Sequence, residues 1–370
     1  MQRVLAEMMS RPTRKTSKST KNFKPSKTAY FAYHLYQQPN NPSFLQAELY
    51  YYESKYNISQ HEELPLCIVA PGRNLESEGR YTRFFSSIAK QNYSNYKLIY
   101  IDDASTDGTV LSIKKYLTNP EFEKLVSRTK ILENSQRLYA LANRNAGIRN
   151  HCEEDDIIVD IDPDDVILGQ QAFKFINSIY QDPNIWIFYT NYVFWSSKYD
   201  EPSEGISGQI PRLILSGNKY RTSDTWLTSA TRTFRRKVYM KIDDEDFKDS
   251  QGKFYKWASD LYMHYSLVEL AGPNHYKYLD EVFYYYYLTR NKFKASEKAI
   301  DKWNSYTITP YEPLKDLEEE GRKVQNYEVP EWILKRKKKV EADVLNEKLD
   351  EKHEEAVDKK YFQLEMHGGP

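Results

Sequence analysis

No run of about 18 apolar residues interrupts this 370-residue chain, so no transmembrane helix is expected. The basic start leads into no apolar stretch, so no signal peptide is expected and a cytoplasmic location is the default. Charge of one sign is also missing. The 53 basic and 53 acidic residues cancel. No nucleic-acid partner is expected, and membrane contact, where there is any, would be peripheral. Cysteine is nearly absent: Cys67 and Cys152 sit in or beside apolar segments, without zinc spacing. They read as small core residues rather than a disulfide. Glycine is sparse as well, and the turn Pro71-Gly72-Arg73-Asn74 is too poor in it for the phosphate-cradling loop expected of a nucleotidyltransferase. Aromatics are plentiful at 15% of the chain, 32 of them Tyr, enough to build a core and line a cleft.

One acidic stretch organises what is there: Asp156-Ile-Ile-Val-Asp160-Ile-Asp162-Pro163-Asp164-Asp165. Its β-branched residues read as a buried parallel strand. Pro163 ends the strand and leaves Asp162, Asp164 and Asp165 at its carboxyl end, where open α/β sheets bind ligands. Three carboxylates so close repel unless a cation joins them. Mg²⁺ or Mn²⁺ takes carboxylate and phosphate oxygens together, which points to a metal site for a phosphate-bearing substrate. A solvated acidic turn is the plainer alternative. An EF-hand is excluded, because counting from Asp160 places Asp165 where Gly is required and Gln171 where Glu is required.

Residues 1–28 carry eight basic side chains against one acidic, and read as a disordered arm. Residues 29–63 are Tyr-rich and read as an extension packed on the main domain. Apolar segments at Leu66–Ala70, Lys97–Ile101, Thr129–Leu132 and Asp156–Ile161 alternate with helical patterns. Four alternations argue for a Rossmann-like, mostly parallel sheet with flanking helices. The domain is expected over 64–290, as a 64–165 half and a 166–290 half. Ser203–Thr222 reads as a mobile loop. Tyr255–Leu270 reads as a helix carrying Trp257, Asp260 and His264. Residues 291–370 read as a charged tail, and Glu312–Lys360 as solvated helix or disorder.

Four segments together resemble the inverting family 2 glycosyltransferases. Ile68-Val-Ala-Pro71-Gly72-Arg73-Asn74 resembles the opening strand and turn. Ile101-Asp102-Asp103-Ala-Ser-Thr-Asp-Gly-Thr109 is close to the second acidic turn, and Leu141-Ala-Asn-Arg144-Asn-Ala-Gly-Ile148 to the following helix. Asp160-Ile-Asp162-Pro-Asp164-Asp165 is similar to the metal motif. The resemblance implies a GT-A fold in which a nucleotide-binding half precedes an acceptor-binding half. It implies a nucleotide-sugar donor, usually a UDP-sugar, with Mn²⁺ or Mg²⁺, and direct inverting transfer to a glycan, protein or lipid acceptor. By position, Pro71 and Arg73 lie along the nucleoside, and Asp102 or Asp103 accepts from the base. Arg144 reaches the base or the diphosphate, while Asp162 and Asp164 hold the ion. Asp260 matches the general base, although Ser259 stands where an acid is more usual. Trp226 and Trp257 are candidate sugar-stacking residues, or core. Arg235 and Arg236 read equally as a diphosphate clamp or a solvated helix start, and His264 as packed among tyrosines. No Gln-x-x-Arg-Trp follows Asp260, so a non-processive hexosyl- or N-acetylhexosaminyltransferase is expected. The family's frequent His near Tyr287–Arg290 is absent. The alternative is a catalytically degenerate module that binds a nucleotide sugar or glycan.

Overall fold

Two helices precede the sheet: α1 (Lys27–Gln37) and α2 (Pro42–Tyr56). In the computed structural model the described residues are 27–196, 201–205, 207–222, 227–287, 295–343 and 346; the arm over residues 1–26 and the candidate Trp226 lie outside them. α2 starts where it does because Asn41 caps it, accepting from the Ser43 N–H, with Pro42 in the first turn. Phe31, Ala32 and Leu35 of α1 and Ala47 of α2 close a small core against Val193, Val282 and Tyr285 of the main sheet.

The sheet begins with β1 (Leu66–Gly72), buried at every position. Next come β2 (Tyr96–Asp102), β3 (Thr129–Glu133) and β4 (Ile157–Asp160). These pair in parallel in the order β3-β2-β1-β4. β5 (Val166–Ile167), β6 (Ile187–Ser196), β7 (Glu201–Glu204), β8 (Arg232–Arg235) and β9 (Tyr276–Tyr285) complete it. The order continues β8-β6-β9-β5, with β7 on β6. β8 runs antiparallel to both β4 and β6, and β9 runs parallel to β6. Helices α3 (Arg80–Ala89), α4 (Thr109–Tyr116), α5 (Tyr139–His151), α6 (Ala172–Tyr180), α7 (Ser259–Ala271) and α8 (Ala295–Thr307) flank it.

Strand parity sets the two faces. Ile157, Val159 and Ile161 join a core with Phe84 and Phe85 of α3, whereas Ile158 joins the opposite core with residues of α5 and α7. Asp160 shares the parity of Ile158 and so meets α5 and α7. Gly147 lets α5 lie close on the sheet: a Cβ there would stand 2.8 Å from a Val69 methyl.

Several expectations are corrected. Cys67 and Cys152 form a disulfide between β1 and the end of α5, with Cα atoms 5.9 Å apart. Their separation of 85 residues concealed the approach that the β1–α5 packing imposes. The described part of 203–222 is tied to the domain at its end. Arg221 is buried, pairs with Glu269 at 2.6 Å and donates to the Ser305 carbonyl. The charged tail is partly packed: Tyr311, Leu314 and Ile333 are buried, and Leu314 N–H donates to the Leu270 carbonyl at the end of α7. α7 starts at Ser259, so Trp257 precedes it, held by its N–H donating to Asp301 of α8 at 3.1 Å.

The N-terminal helices are clipped to the domain through Glu48, a buried carboxylate that accepts from the N–H groups of Gln170 and Gln171 at 3.0–3.1 Å. Gly169 permits this: its φ is +72°, and a Cβ there would lie 2.1 Å from a Glu48 oxygen. Burial pushes the Glu48 carboxyl up to about 7, against the pull of the two N–H groups. Unfolded Glu loses its proton near about 4.3. Between that pH and 7 the unfolded chain releases a proton that the folded chain keeps, so stability falls as pH rises. Glu48→Gln is therefore expected to gain about 1–3 kcal/mol relative to wild type on going from pH 4.5 to pH 8. Denaturant titration at the two pH values checks it, and a pH-independent difference would overturn it.

Candidate active site

At the carboxyl ends of β1, β2 and β4 lies a cavity of about 500 Å³. It is lined by Pro71, Arg73, Asp103, Arg144, Asp162, Asp164, Trp257 and Asp260 of the residues singled out from the sequence. Asp102 is not among them.

The base of the cavity is an ion cluster built on Asp160. Asp160 and Arg232 are directly opposite in the β4–β8 ladder. Arg232 Nε donates to one Asp160 oxygen at 2.9 Å, and Arg144 Nε of α5 to the other at 2.6 Å. Burial works to raise the Asp160 carboxyl, but the two guanidinium groups outweigh it and hold the carboxyl at about 2. Two cations on one buried carboxylate leave positive charge over, and the cavity acids take it up. Arg144 also donates to Asp162. Arg232 lies 3.8 Å from Asp162 and 4.0 Å from Asp260. Arg144 thus donates to Asp160, Asp162 and Ser259 and braces the acids at the cavity. His264 lies beneath, and burial pushes its imidazole down to about 3, so it adds no charge.

Beyond the strand, Asp164 pairs with Arg80 of α3 at 3.0 Å. Its carboxyl rises to about 6, first through burial and then through the charge of Asp162. Asp165 is buried, accepting from the Tyr284 hydroxyl at 2.6 Å and the Tyr287 N–H at 2.8 Å. Asp162 and Asp164 face the cavity with 36% and 28% of their side chains exposed. Their donor atoms are all carboxylate oxygens, and the charge of Asp162 bears on Asp164, so the pair fits a hard divalent cation. It is not a closed cage. Among the described residues the one cluster of three potential ligand atoms is Cys67, Cys152 and Asp156, whose sulfurs are joined to each other. Two carboxylates with the remaining positions left to phosphate and water is the arrangement Mg²⁺-like ions favour.

The opposite edge is fixed by main-chain bonds. Asp103 accepts from the N–H groups of Leu138 and Tyr139 at 2.6 and 2.9 Å. Arg73 donates to the Asp103 carbonyl at 2.7 Å. Asp102 is buried and holds its own turn, accepting from the Ser105 N–H and hydroxyl. Of the two aspartates proposed for a base, Asp103 is therefore the one at the cavity. Tyr139 and Ala258 line the walls with φ of 68° and 55°. Non-glycine residues in that region mark strain of the kind concentrated at functional sites. Trp257 meets Tyr139 edge-on at 5.7 Å, with the Arg137 guanidinium 4.1 Å from the Tyr139 ring.

Asp260 occupies the first turn of α7, 36% exposed. Ser259 beside it accepts from Arg144 at 3.1 Å, so a hydroxyl closes the ion cluster where an acid would add charge. Sequence reasoning missed Arg232, Arg80, Arg137 and Lys256, all cationic and at or beside the cavity. It weighed Arg235 and Arg236 instead. Both donate to main-chain carbonyls, of Tyr180, Asp182 and Ile185 and of Ile148 and Arg149 respectively. Only the β4–β8 register distinguishes Arg232 from its neighbours.

A parallel half-sheet extended by antiparallel strands, with acids at the carboxyl end of the strand beside the junction, is the GT-A glycosyltransferase architecture. Residues 73–243 match the model of glycosyl transferase family 2. Asp260 and Trp257 fall beyond the matched stretch. No curated protein matches the chain. Solved structures similar to it include TarS of S. aureus, at 18% identity over 65% of this chain and 39% of that one, TM-score 0.44. TarS 1–349 in complex with UDP-GlcNAc is similar at 16% over 65% and 64%, TM-score 0.43. The mannosyltransferase PcManGT from Pyrobaculum calidifontis, with GDP-Man and Mn²⁺, is similar at 15% over 75% and 74%, TM-score 0.44. The chain spans less than two thirds of the TarS chains it matches, and all three scores lie below 0.5.

Proposed function

We propose that the chain is a divalent-metal-dependent, inverting, non-processive glycosyltransferase that moves one hexosyl or N-acetylhexosaminyl unit from a UDP-sugar to an acceptor hydroxyl. The observation that carries this reading is a single cavity joining three chemistries: the Asp162–Asp164 edge, the Pro71–Arg73–Asp103 edge, and Asp260 on a separate helix. Pro71 and Arg73 flank the nucleoside, and Asp103 fixes the turn against which the base rests. Asp162 and Asp164 would hold the cation, whose charge would offset the negative charge growing on the departing diphosphate. Asp260 takes the proton of the acceptor hydroxyl as that oxygen attacks the anomeric carbon. The bond to the diphosphate oxygen breaks on the opposite side, and configuration inverts. Arg232, 4.0 Å from Asp260, holds the direction of the carboxylate. Trp257 offers a flat apolar surface for a sugar ring.

The test is release of nucleoside diphosphate from a panel of UDP- and GDP-sugars with Mn²⁺ or Mg²⁺ and a panel of acceptors. Turnover is expected with a UDP-sugar, to be lost on chelation, and to fall in Asp164→Asn. Donor binding without turnover across the panel would favour the binding module, and metal-independent turnover would overturn the role of Asp162 and Asp164.

A further inference from the structure

A second cavity, of about 440 Å³, lies between α1, α3 and β5. It shares no lining residue with the cavity at Asp162 and Asp164. One wall comes from α1, which precedes the stretch matched to the family, so this chain's own extension completes the cavity. Its floor is apolar: Leu35 of α1 and Ile167 and Leu168 at β5 are buried. The volume falls in the range of small-molecule sites, which combine mostly apolar walls with a few placed polar groups.

Here the placed polar groups are cations. Arg83 of α3 and Lys90 just past its end line the cavity, and among the described residues that line it none is acidic. Seven residues along a helix put them on one face, two turns and about 10 Å apart. Like charges at an acid-free cavity with apolar walls concentrate a positive potential there. Arg83 is also held in place. Its guanidinium donates to the Tyr36 hydroxyl and lies 5.8 and 5.9 Å from the rings of Tyr36 and Tyr287. Tyr36 is fixed in turn by stacking on Tyr285 at 3.7 Å. A guanidinium steadied on one side keeps further N–H groups for a carboxylate, sulfonate or phosphate. Hydroxyls at the wall are turned to main-chain carbonyls: Tyr116 donates to Thr82 at 3.2 Å, and Ser87 to Phe84 at 2.7 Å.

We propose that this cavity binds a small amphipathic anion, its charged group at Arg83 and its apolar body along the floor toward Lys90. The placement gives the site a bearing on the active cavity. β5 begins two residues after Asp164, and α3 carries Arg80, which pairs with Asp164 at 3.0 Å. An occupant therefore rests on both elements that hold this pair. The binding itself stands or falls separately from sugar transfer.

The experiment is fluorescence titration of the full chain with anilinonaphthalene sulfonate, an aromatic anion, and with phenylnaphthylamine, its uncharged counterpart. Wild type is expected to bind one sulfonate probe per chain, to release it to decanoate, and to keep it in the presence of UDP and Mn²⁺. Arg83→Gln/Lys90→Gln is expected to bind the sulfonate about 10-fold or more weakly, the loss of two charge-assisted contacts, with little change for the uncharged probe. Ser86→Phe, which fills the cavity from α3, is expected to exclude both probes. Unchanged melting of the double variant separates lost attraction from lost fold. Absence of sulfonate binding in wild type would overturn the proposal, as would unchanged binding in the double variant. Displacement by UDP with Mn²⁺ would overturn it too, because the probe would then lie in the active cavity. Equal weakening of both probes in the double variant would remove the cations from recognition.

Discussion

Asp260→Asn is expected to lower kcat by about 10²–10⁴-fold while leaving the affinity for donor and metal unchanged. The amide keeps the shape of the side chain but has no lone pair basic enough to take a proton from an acceptor hydroxyl. Other cavity acids are poorly placed to substitute. Asp103 is filled by two main-chain N–H groups, and Asp165 by the Tyr284 hydroxyl and the Tyr287 N–H. Asp162 and Asp164 are each engaged by arginine. Asp260 has one long ionic contact, to Arg232, and 36% of its side chain open to the cavity. The same exposure keeps the structural cost small, within the range of about 0–1 kcal/mol for surface ion pairs. Nucleotide-release kinetics and calorimetric donor titration measure the two halves. Full turnover in the variant would remove Asp260 as the base. Loss of donor binding together with turnover would make its part structural.

The parallel half of the sheet was legible because each strand there is a short β-branched run ending in a turn whose chemistry is local. Ile157 to Ile161 declares burial on both faces, and Pro163 declares the end of the ladder. The acids at that end followed directly. What stayed hidden depends on partners distant in sequence. Arg232 and Arg235 lie three residues apart in one strand, yet only the first stands opposite Asp160. The disulfide needed the packing of α5 on β1, and the tie at the end of 203–222 needed Glu269 of α7. Asp102 and Asp103 are adjacent and chemically identical. Their separation into a turn-holding residue and a cavity residue comes from where β2 ends against β1. The start of α7 was set four residues too early because Tyr255 and Trp257 continue an apolar pattern, and nothing in that pattern reveals the left-handed Ala258 that breaks it.

Asp160→Asn is expected to cost about 3–5 kcal/mol of stability, the largest structural effect of any single cavity residue. Arg144 and Arg232 are each almost wholly buried, with only 3% and 8% of their side chains exposed, and both converge on this one carboxylate. Neutralising it leaves two buried guanidinium groups whose remaining acidic partners are Asp162 and, for Arg232, the more distant Asp260, both at the rim. Since the carboxyl is held at about 2, the stabilisation persists through neutral pH. It fades as the pH falls from about 3.9, the unfolded value, toward about 2, so the gap between wild type and Asp160→Asn should narrow in acid. Asp162→Asn makes the contrast. Its side chain is 36% exposed, so its removal should cost little stability yet abolish metal-dependent turnover. Chemical denaturation at pH 7 and pH 3 measures the first effect, and metal-dependent nucleotide release the second. If the two variants lost stability equally, the division between a buried charge that organises the site and exposed charges that act in it would fail. Restoring part of the loss with Asp160→Asn/Arg232→Gln would assign the cost to the stranded cation rather than to the missing hydrogen bonds.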